Sequence, residues 1–497
     1  MSDPITPSAD DGSHMMIEQF ARGPVWAAAA AQAVVLSVSS VGYDYHRDEL
    51  YYRMLHPAWG YVDQPPLTPA IARMTVHLAD AEWAMRIPAT LASALSVVVL
   101  AMITWRLGGN RTAQSLSAWG YATAMMPLML GHVLFTSTID LLLLLLVVYA
   151  LLVAVQGSNR WWAAAGLIAG ITTYNRWLVV IVVAGLIFGL LLLGPRRAFR
   201  TPWPYLGGVV AVIVGLPNLL YQAMNGWPQL EMGSALGASN AASVRSGFAL
   251  MLLVMLGPPL VAVWGTGVVW LLRADRRNID GWLVVGFVVL LGFTFVGGAQ
   301  PHYPVHLMSV MYAAGCVPVA AWIAGHQWRK RLLLSVIAVN AVVSMVLALP
   351  VIPVSVVGRT PVVQAGPMVA DQIGWTQYVA QIARIYDDLP TPRPPILASN
   401  YGEAGALARY GPVYGLPAPY SGHNALYDQR RLPDNTDAVL IVGDQFDRVA
   451  HLFASCVVLT TLDNGLGVDN EEQGVPVALC ERPHDPTGLW AELRHLG

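Results

Sequence analysis

The chain has 497 residues, of which 55% are hydrophobic and only 12% are charged, and its formal net charge is -2. This composition excludes an ordinary soluble globule, because apolar runs of about 17 to 25 residues recur along the sequence. It also argues against a nucleic-acid partner, since no basic stripe is available to replace the counterions of phosphates. The sequence therefore predicts a polytopic α-helical membrane protein in contact with the lipid bilayer.

The first 23 residues are mostly polar, and residues 12–15, Gly-Ser-His-Met, resemble the scar of a cleaved purification tag. We predict that residues 1–23 form a disordered segment that takes no part in the fold. The apolar run that follows has no convincing small-residue cleavage site, so we expect it to be a retained helix rather than a signal peptide.

Apolar segments long enough to span a bilayer, at about 20 residues each, recur through the first 350 residues. We expect about 11 transmembrane helices. They lie near residues 24–41, 88–105, 112–130, 139–156, 161–174, 177–193, 205–222, 247–272, 281–297, 305–325 and 332–350.

The basic residues between these segments fall into short loops on one face of the predicted bundle. They are Arg22, Arg106, Arg111, Arg160, Arg196, Arg197, Arg200, Arg273, Arg276, Arg277, Arg329, Lys330 and Arg331. By the positive-inside rule this face is cytoplasmic. The opposite face receives the loop 42–87, the loop 223–246 and everything after residue 350, so we predict a protein of the cytoplasmic membrane whose largest segments are extracytoplasmic.

The composition changes near residue 351 to a mixture of polar residues and short β-rich runs that alternate with helix-like segments. We predict a transmembrane module over 24–350, with the outer loop 42–87, and an extracytoplasmic α/β domain over 351–497. Cys456 and Cys480 both fall in this domain, where a disulfide and two buried free thiols are equally open.

The outer loop combines carboxylates with tyrosines directly after the first apolar run. Asp48 and Glu49 are adjacent to each other, with Tyr45 and Tyr52 nearby, and Asp140 opens a later helix at the same face. A carboxylate at a membrane boundary can serve as a general base or bind a cation, and it is costly enough there to need a reason. For Asp140, a simple role as a helix N-cap is equally open.

The motif Asp-Glu-x-Tyr-Tyr at 48–52, with Tyr-Val-Asp-Gln-Pro-Pro-Leu at 61–67 and Arg-Ile-Pro-Ala at 86–89, resembles the GT-C glycosyltransferases of the protein O-mannosyltransferase and lipid A aminoarabinose transferase type. Thr-Ile-Asp at 138–140 supports the resemblance, and His302-Tyr303 continues it. The segments 399–405 and 421–424 look like the outer domain of bacterial members.

The resemblance implies a GT-C fold and a sugar donor linked to polyprenyl phosphate. Matching by motif makes Asp48 the general base of an inverting transfer onto an extracytoplasmic acceptor, which is a protein, a lipid or a cell-envelope glycan. Glu49 and Asp140 become further catalytic acids, and Tyr45 and Tyr52 become substrate-binding residues.

The motif departs from the family at Asp63-Gln64, because the aminoarabinose enzymes carry an acidic-basic pair there. We assign Asp63 and Gln64 to substrate binding, and the donor phosphate then needs other partners. The candidates are Arg86, Arg176, His302 and Tyr303. For the arginines, interfacial snorkelling is equally open, and His302 could simply stack on an aromatic ring.

A divalent metal ion such as zinc, manganese or magnesium is left open as a cofactor, with Asp63 as its candidate ligand. The spacing does not demand a metal, and a structural role for Asp63 in the proline turn is just as open.

Two other functions fit the composition. A transporter or flippase of lipid-linked sugars would also use membrane charges, but no internal repeat is visible and the acids lie at one face rather than mid-span. A non-catalytic glycan-binding membrane protein would tolerate the loss of Asp48 and Asp140 together, whereas an enzyme would not. Within the loop 223–246, Asn-Gly-Trp-Pro at 225–228 predicts a mobile lid.

Overall fold

The computed structural model describes residues 19–497. The prediction of a disordered segment over 1–23 falls mainly on residues 1–18, which lie outside the described residues. The first helix already begins at Arg22.

The first part of the chain is a helical bundle, interrupted by 3₁₀ turns at Arg196–Arg200 and Pro258–Leu260. Its helices are α1 (Arg22–Ser39), α2 (Arg47–Met54), α3 (Leu67–Leu78), α4 (Glu82–Arg106), α5 (Arg111–Ala122), α6 (Met125–His132), α7 (Thr136–Val155), α8 (Trp161–Thr172), α9 (Leu178–Leu193), α10 (Trp203–Met224), α11 (Pro228–Val254), α12 (Val261–Leu271), α13 (Trp282–Gly297), α14 (Val305–Ile323) and α15 (Gln327–Ala348).

The bundle is that of a membrane protein. Within residues 19–497, the helices α4, α7, α10, α14 and α15 are long and apolar enough to cross a bilayer. A sixth span results if α11 and α12, which meet at a bend of 75°, are counted as one. The apolar helices α8, α9 and α13 are shorter, so the predicted number of about 11 spans stays a prediction.

The prediction of a loop over 223–246 is wrong, because most of this segment belongs to the helix α11. Its mobility as a lid stays a prediction. The helix begins at Pro228, immediately after the turn, where the fixed φ of proline favours the first helical position. Alanine, leucine and methionine then supply good helix formers. The expected loop is therefore a rod of 27 residues that ends at the bend.

The segment after residue 350 contains short helices around a small sheet. The helices are α16 (Val354–Val357), α17 (Val362–Ala365), α18 (Pro367–Ala370), α19 (Trp375–Asp388), α20 (Tyr401–Tyr410), α21 (Leu426–Gln429), α22 (Phe446–Val449) and α23 (Leu489–Glu492), with 3₁₀ turns at Gly411–Tyr414 and Ala450–Leu452. The strands are β1 (Ile396–Ala398), β2 (Ala438–Val442), β3 (Phe453–Thr461) and β4 (Pro476–Pro483).

The strand order is β1-β2-β4-β3, with β1 parallel to β2 and the other two pairs antiparallel. Cys456 on β3 lies directly opposite Cys480 on β4, and the two form a disulfide. The mixture of helices and strands is the one expected for this segment, while its boundary near 351 and its side of the membrane stay predictions.

This C-terminal segment packs directly on the outer loop through α20 and α2. Two glycines one helical turn apart on α20 face α2, and a Cβ added to Gly405 would lie 2.6 Å from the Cβ of Leu50. A Cβ on Gly402 would lie 3.0 Å from the Cβ of Arg47. The missing side chains let the two helices approach closely, and this contact holds the outer loop and the C-terminal segment at the same end of the bundle.

A fully buried ion pair fixes α2 on the other side. Arg86 on α4 donates to both carboxylate oxygens of Glu49, at 3.3 and 3.1 Å, and to the carbonyl oxygens of Ser40 and Asp44 at 2.7 Å each. It also donates to the side-chain oxygen of Gln372, at 3.1 Å.

Both oxygens of the Glu49 carboxylate also accept hydrogen bonds from the backbone. It accepts the backbone N–H of His46, in the capping box of α2, and that of Leu134, just before α7. One acid and one arginine thus join α1, α2, α4, the entry to α7 and the C-terminal segment.

We expect Glu49→Ala to destabilise the fold by about 3–5 kcal/mol, because it leaves the buried guanidinium of Arg86 without a counter-charge. The measurement is the unfolding of the purified full chain in one detergent. Asp434→Ala is the control, since it removes an exposed pair with Arg431 worth under about 1 kcal/mol. Equal stability of the two variants would contradict the prediction.

Candidate active site

A cavity of about 710 Å³ lies where α2, the start of α7, the start of α9 and the end of α10 meet α11 and the C-terminal segment. Its two ends differ in chemistry. Asp48, Asp63 and Arg176 line one end, whereas the other is apolar and includes Ile181 and Phe293. The cavity can therefore hold a polar group and an apolar chain at the same time.

Asp48 reaches the cavity from the first turn of α2. The capping box that buries Glu49 orients this turn, and the N–H of Asp48 donates to Nδ1 of His46. One carboxylate oxygen accepts the hydroxyl of Tyr401, on α20, at 3.0 Å. Burial raises the pKa of Asp48, while the Tyr401 hydrogen bond and the nearby Arg47 act in the opposite direction.

Asp63 is the second carboxylate at the polar end. It accepts the hydroxyl of Tyr51 at 3.0 Å and the side-chain amide of Gln64 at 3.3 Å. The same tyrosine oxygen accepts the N–H of Ala425 from the C-terminal segment. Burial raises the pKa of Asp63 to about 7, and the negative charge of Asp48 adds to the shift.

Arg176 supplies the positive charge from the turn between α8 and α9. Its Nε lies 3.3 Å from Asp140, its Nη2 bonds to the hydroxyl of Thr136, and its guanidinium carbon lies 5.0 Å from the centre of the Tyr303 ring. The remaining nitrogen, Nη1, is buried and has no hydrogen-bond partner among residues 19–497. A buried, unused cationic donor at a cavity wall is suited to an anionic ligand.

Asp140 is not the N-cap of its helix, because it is the fifth residue of α7. Its carboxylate accepts the side-chain amide of Asn175 at 2.6 Å, in addition to the ion pair with Arg176. Asn175 in turn accepts the hydroxyl of Thr68. Asp140 therefore holds the turn that carries Arg176, and it does so from behind the cavity wall.

His302 lies beside this group, within hydrogen-bond distance of the Ser137 hydroxyl at 2.8 Å and edge-on to Tyr303. Burial lowers the pKa of His302 to about 3, and the charge of Arg176 acts in the same direction. The imidazole is consequently neutral near pH 7. It can donate or accept a hydrogen bond there but adds no positive charge.

The structure brings most of the predicted site residues to one place. The cavity wall contains Asp48, Tyr52, Asp63, Gln64, Arg176 and Tyr303. Asp140 and His302 contact that wall from behind.

Glu49, Arg86 and Tyr45 are not in the cavity wall. The polar atoms of Glu49 and Arg86 bond to each other and to the backbone and Gln372 around them, so they are not available to a substrate. Tyr45 is fully buried, and its hydroxyl points to Asp80 at 3.5 Å. We therefore leave these three out of the site that we propose below.

Several wall residues were not predicted from the sequence. They are Tyr51, Tyr401 and Asn424 at the polar end, and Trp227, Gln222 and Gln229 beside α11. Tyr401 and Asn424 do fall in the segments 399–405 and 421–424, whose resemblance to outer domains was a usable signal. Nothing in the sequence places these segments against Asp48.

The helix α11 is held over the cavity at two points. The side-chain amide of Gln229 donates to the carbonyl oxygen of Val62 at 3.3 Å, and Glu231 pairs with Arg494 of the C-terminal segment at 3.1 Å. The cavity is thus enclosed by the outer loop, α11 and the C-terminal segment together.

The polar end offers little for a protein-bound metal. Among the described residues, no three His, Cys, Asp or Glu side chains converge in a way that could hold one. Asp63 has Asp48 as an acidic neighbour, but its own oxygens already accept from Tyr51 and Gln64. Metal dependence stays an open prediction, and no step below uses a metal.

Comparison with known proteins agrees with this architecture. Residues 63–221 match the family model described as dolichyl-phosphate-mannose-protein mannosyltransferase. The fold is similar to that of ArnT from Cupriavidus metallidurans bound to undecaprenyl phosphate, with a TM-score of 0.60 and 14% identity over 92% of this chain and 98% of that one. The chain thus has a fold similar to that of ArnT, and part of it matches the family model.

Two further solved structures have a similar fold. The oligosaccharyltransferase of Archaeoglobus fulgidus, in a complex with Zn and sulfate, gives a TM-score of 0.52 and 12% identity over 86% of this chain and 69% of that one. The archaeal AglB from the same organism, in complex with an inhibitory peptide and a dolichol-phosphate, gives 0.50 and 11% identity, over 86% and 70% of the two chains. No curated protein sequence matches the chain.

Within the GT-C fold, the family match and the cavity overlap only in part. The matched residues include Asp63, Gln64, Asp140 and Arg176. Asp48 lies before them, and the C-terminal segment that supplies Tyr401 lies after them. Part of the polar end therefore comes from segments outside the family match.

Proposed function

We propose that this protein is an inverting glycosyltransferase that moves a sugar from a polyprenyl phosphate to an extracytoplasmic acceptor. One observation carries the proposal: a single cavity holds two carboxylates and an arginine at one end and continues into an apolar end between α9, α11 and α13. A lipid-linked sugar has the same order of parts, with a polar sugar phosphate joined to an apolar chain. The undecaprenyl phosphate and dolichol-phosphate named for the similar structures add support.

The orientation follows from charge. The polar end of the cavity lies at the end of the bundle that carries the C-terminal segment. Residues of the predicted cytoplasmic loops lie together at the other end, where Gln156 donates to the carbonyl oxygen of Arg106 and Arg276 donates to that of Leu107. By the positive-inside rule, the cavity then opens at the outer boundary of the cytoplasmic membrane, at the headgroup level.

In the proposed reaction, Asp48 is the general base. The sugar already has a good leaving group in its phosphate, so the donor needs no proton from the enzyme. The incoming hydroxyl or amine must lose a proton as its oxygen or nitrogen bonds to the anomeric carbon. The Asp48 carboxylate takes this proton while the bond from the anomeric carbon to the phosphate oxygen breaks, and attack opposite the phosphate inverts the anomeric centre.

Arg176 balances the charge of the departing phosphate. Its Nη1 is the unused donor, and the ion pair with Asp140 keeps the guanidinium in place without occupying that nitrogen. The neutral His302 can contribute a hydrogen bond. Gln64 stands where the similar aminoarabinose enzymes carry a basic residue, so it cannot neutralise the phosphate. In this proposal the positive charge comes instead from Arg176, in the turn between α8 and α9.

Asp63 is suited to the sugar rather than to the acceptor. An oxocarbenium-like centre gains from a carboxylate nearby, and carboxylate oxygens also bind sugar hydroxyls. With a pKa raised to about 7, Asp63 is partly protonated near neutral pH and can act in either way.

We expect Asp48→Asn to abolish sugar transfer while leaving expression and stability intact, because the amide cannot accept the proton. The assay follows radiolabelled mannose or arabinose from undecaprenyl phosphate into membranes of the producing cells, which supply the acceptor. Asp434→Asn, in an exposed surface pair, is the matched control and keeps the wild-type rate. Full activity of Asp48→Asn would overturn the assignment of the base, and a wild-type chain that transfers no sugar from such donors would overturn the proposed function.

We expect Arg176→Gln to weaken binding of undecaprenyl phosphate by roughly tenfold or more, since a charge-assisted bond to phosphate is worth about 1.5–3 kcal/mol. Native mass spectrometry of the purified chain measures the bound lipid. The phosphate-free alcohol undecaprenol is the control ligand, and its binding should not change. If both lipids lose affinity equally, Arg176 supports the cavity rather than the phosphate.

We expect the transfer rate to rise with pH through the raised pKa of Asp48, because the base acts in its ionised form. The hydroxyl of Tyr401 favours that form, so Tyr401→Phe raises the pKa further and moves the acidic limb of the pH profile to higher pH. Tyr414→Phe, at a half-exposed tyrosine of the same segment, is the control. An acidic limb that stays in place, or moves to lower pH, would contradict this role of Tyr401.

A further inference from the structure

A second groove lies in the half of the bundle away from the candidate active site. It has a volume of about 640 Å³, and apolar side chains of α7, α8, α9 and α10 line it, among them Leu151, Trp162 and Ile187. Val212 and Ile213 on its rim are 59% and 63% exposed, so the groove opens to the bilayer rather than into the protein.

One end of the groove lies beside a group of exposed arginines. Arg160 precedes α8, and Arg197 and Arg200 belong to the 3₁₀ turn between α9 and α10. Within the part of the chain that the structure describes, no hydrogen bond or ion pair engages these three guanidinium groups. Arg196 differs, because it donates to the carbonyl oxygens at the end of α9.

Apart from Asp140, near the opposite end of α7, these helices carry no acidic residue, since the sequence has no Asp or Glu between Asp140 and Glu231. The arginines and the groove are also joined structurally. Phe199, within the arginine turn, lines the groove and packs on Trp162 with 6.4 Å between ring centres. The starts of α8 and α10 face the same end, and their helix dipoles add to the positive potential.

We propose that this groove is a binding site for an anionic glycerophospholipid of the inner leaflet. One acyl chain lies in the groove, and the phosphate group meets Arg197 and Arg200 at its mouth. The apolar wall alone would accept the chain of any lipid, whereas the uncompensated arginines select an anionic headgroup. This site lies at the opposite membrane surface from the sugar-transfer cavity and does not depend on the function proposed for that cavity.

The charge at the mouth is tested by native mass spectrometry of the purified full chain with phosphatidylglycerol and phosphatidylcholine of identical acyl chains. We expect the wild type to retain phosphatidylglycerol preferentially, and Arg197→Gln/Arg200→Gln to lower that retention by roughly tenfold. Lys330→Gln/Arg331→Gln removes two charges near the start of α15, at the same predicted face, and should leave retention unchanged. Equal retention of the two lipids by the wild type, or an equal loss in both double variants, would overturn the proposal.

The groove itself is tested by filling it. Gly208 lines the groove, and a Cβ added there would meet no atom within 4 Å, so Gly208→Leu occupies the space without a clash. Gly265→Leu on α12 is the matched control, because it also meets open space but lies outside the groove. We expect Gly208→Leu alone to lose phosphatidylglycerol, with both variants unfolding at the wild-type temperature.

Unchanged retention in Gly208→Leu would place the lipid elsewhere and overturn the proposal. Displacement of phosphatidylglycerol by undecaprenyl phosphate, abolished by Gly208→Leu, would also overturn it, because the groove would then serve the sugar carrier.

Discussion

The geometry of the candidate active site depends on the buried pair of Glu49 and Arg86. Two opposite charges without access to water persist only if nearly every donor and acceptor around them is satisfied, and here the partners come from five separate parts of the chain. The pair therefore determines where α2 begins and how its first turn is oriented. Asp48 is the next residue along that turn, and it faces the cavity because Glu49 faces away from it.

The C-terminal segment is part of the site rather than an appendage. Its helix α20 lies against α2 through two glycines, and this contact brings the hydroxyl of Tyr401 to Asp48 and the N–H of Ala425 to Tyr51. Both cavity carboxylates are thus in contact, directly or through one tyrosine, with residues that follow the membrane bundle. A chain without this segment would keep the acids but lose the Tyr401 hydroxyl, which favours the ionised form of Asp48, and the N–H that holds Tyr51.

The membrane class of the protein and the location of its candidate site could be predicted from the sequence, because long apolar runs and clustered carboxylates are local signals. The separate roles of Asp48 and Glu49 could not be predicted. Adjacent residues on a helix point about 100° apart, and only the position of Arg86 decides which of Asp48 and Glu49 is buried. Tyr401 was out of reach for a related reason, since it lies 353 residues from the carboxylate that it contacts.

The sequence also could not predict which arginine, Arg86 or Arg176, is available to bind a phosphate. Both lie next to apolar runs at the predicted outer face, and the sequence offers no reason to prefer one over the other as a phosphate ligand. In the structure one is saturated by carbonyl groups and a carboxylate, while the other keeps a free nitrogen at the cavity wall. The difference comes from which backbone carbonyls happen to surround each guanidinium, and this is a property of the packed bundle.

Because α11 is a helix rather than a loop, it restricts how a ligand can enter and leave the cavity. A flexible loop over the cavity could uncover it gradually, by local movements of single residues. A straight rod, pinned near its start by Gln229 and Glu231 and bent sharply where it meets α12, has to pivot as a unit. A pivot of this kind would open the cavity sideways, toward the hydrocarbon of the membrane, and a lipid ligand could then enter without passing through water.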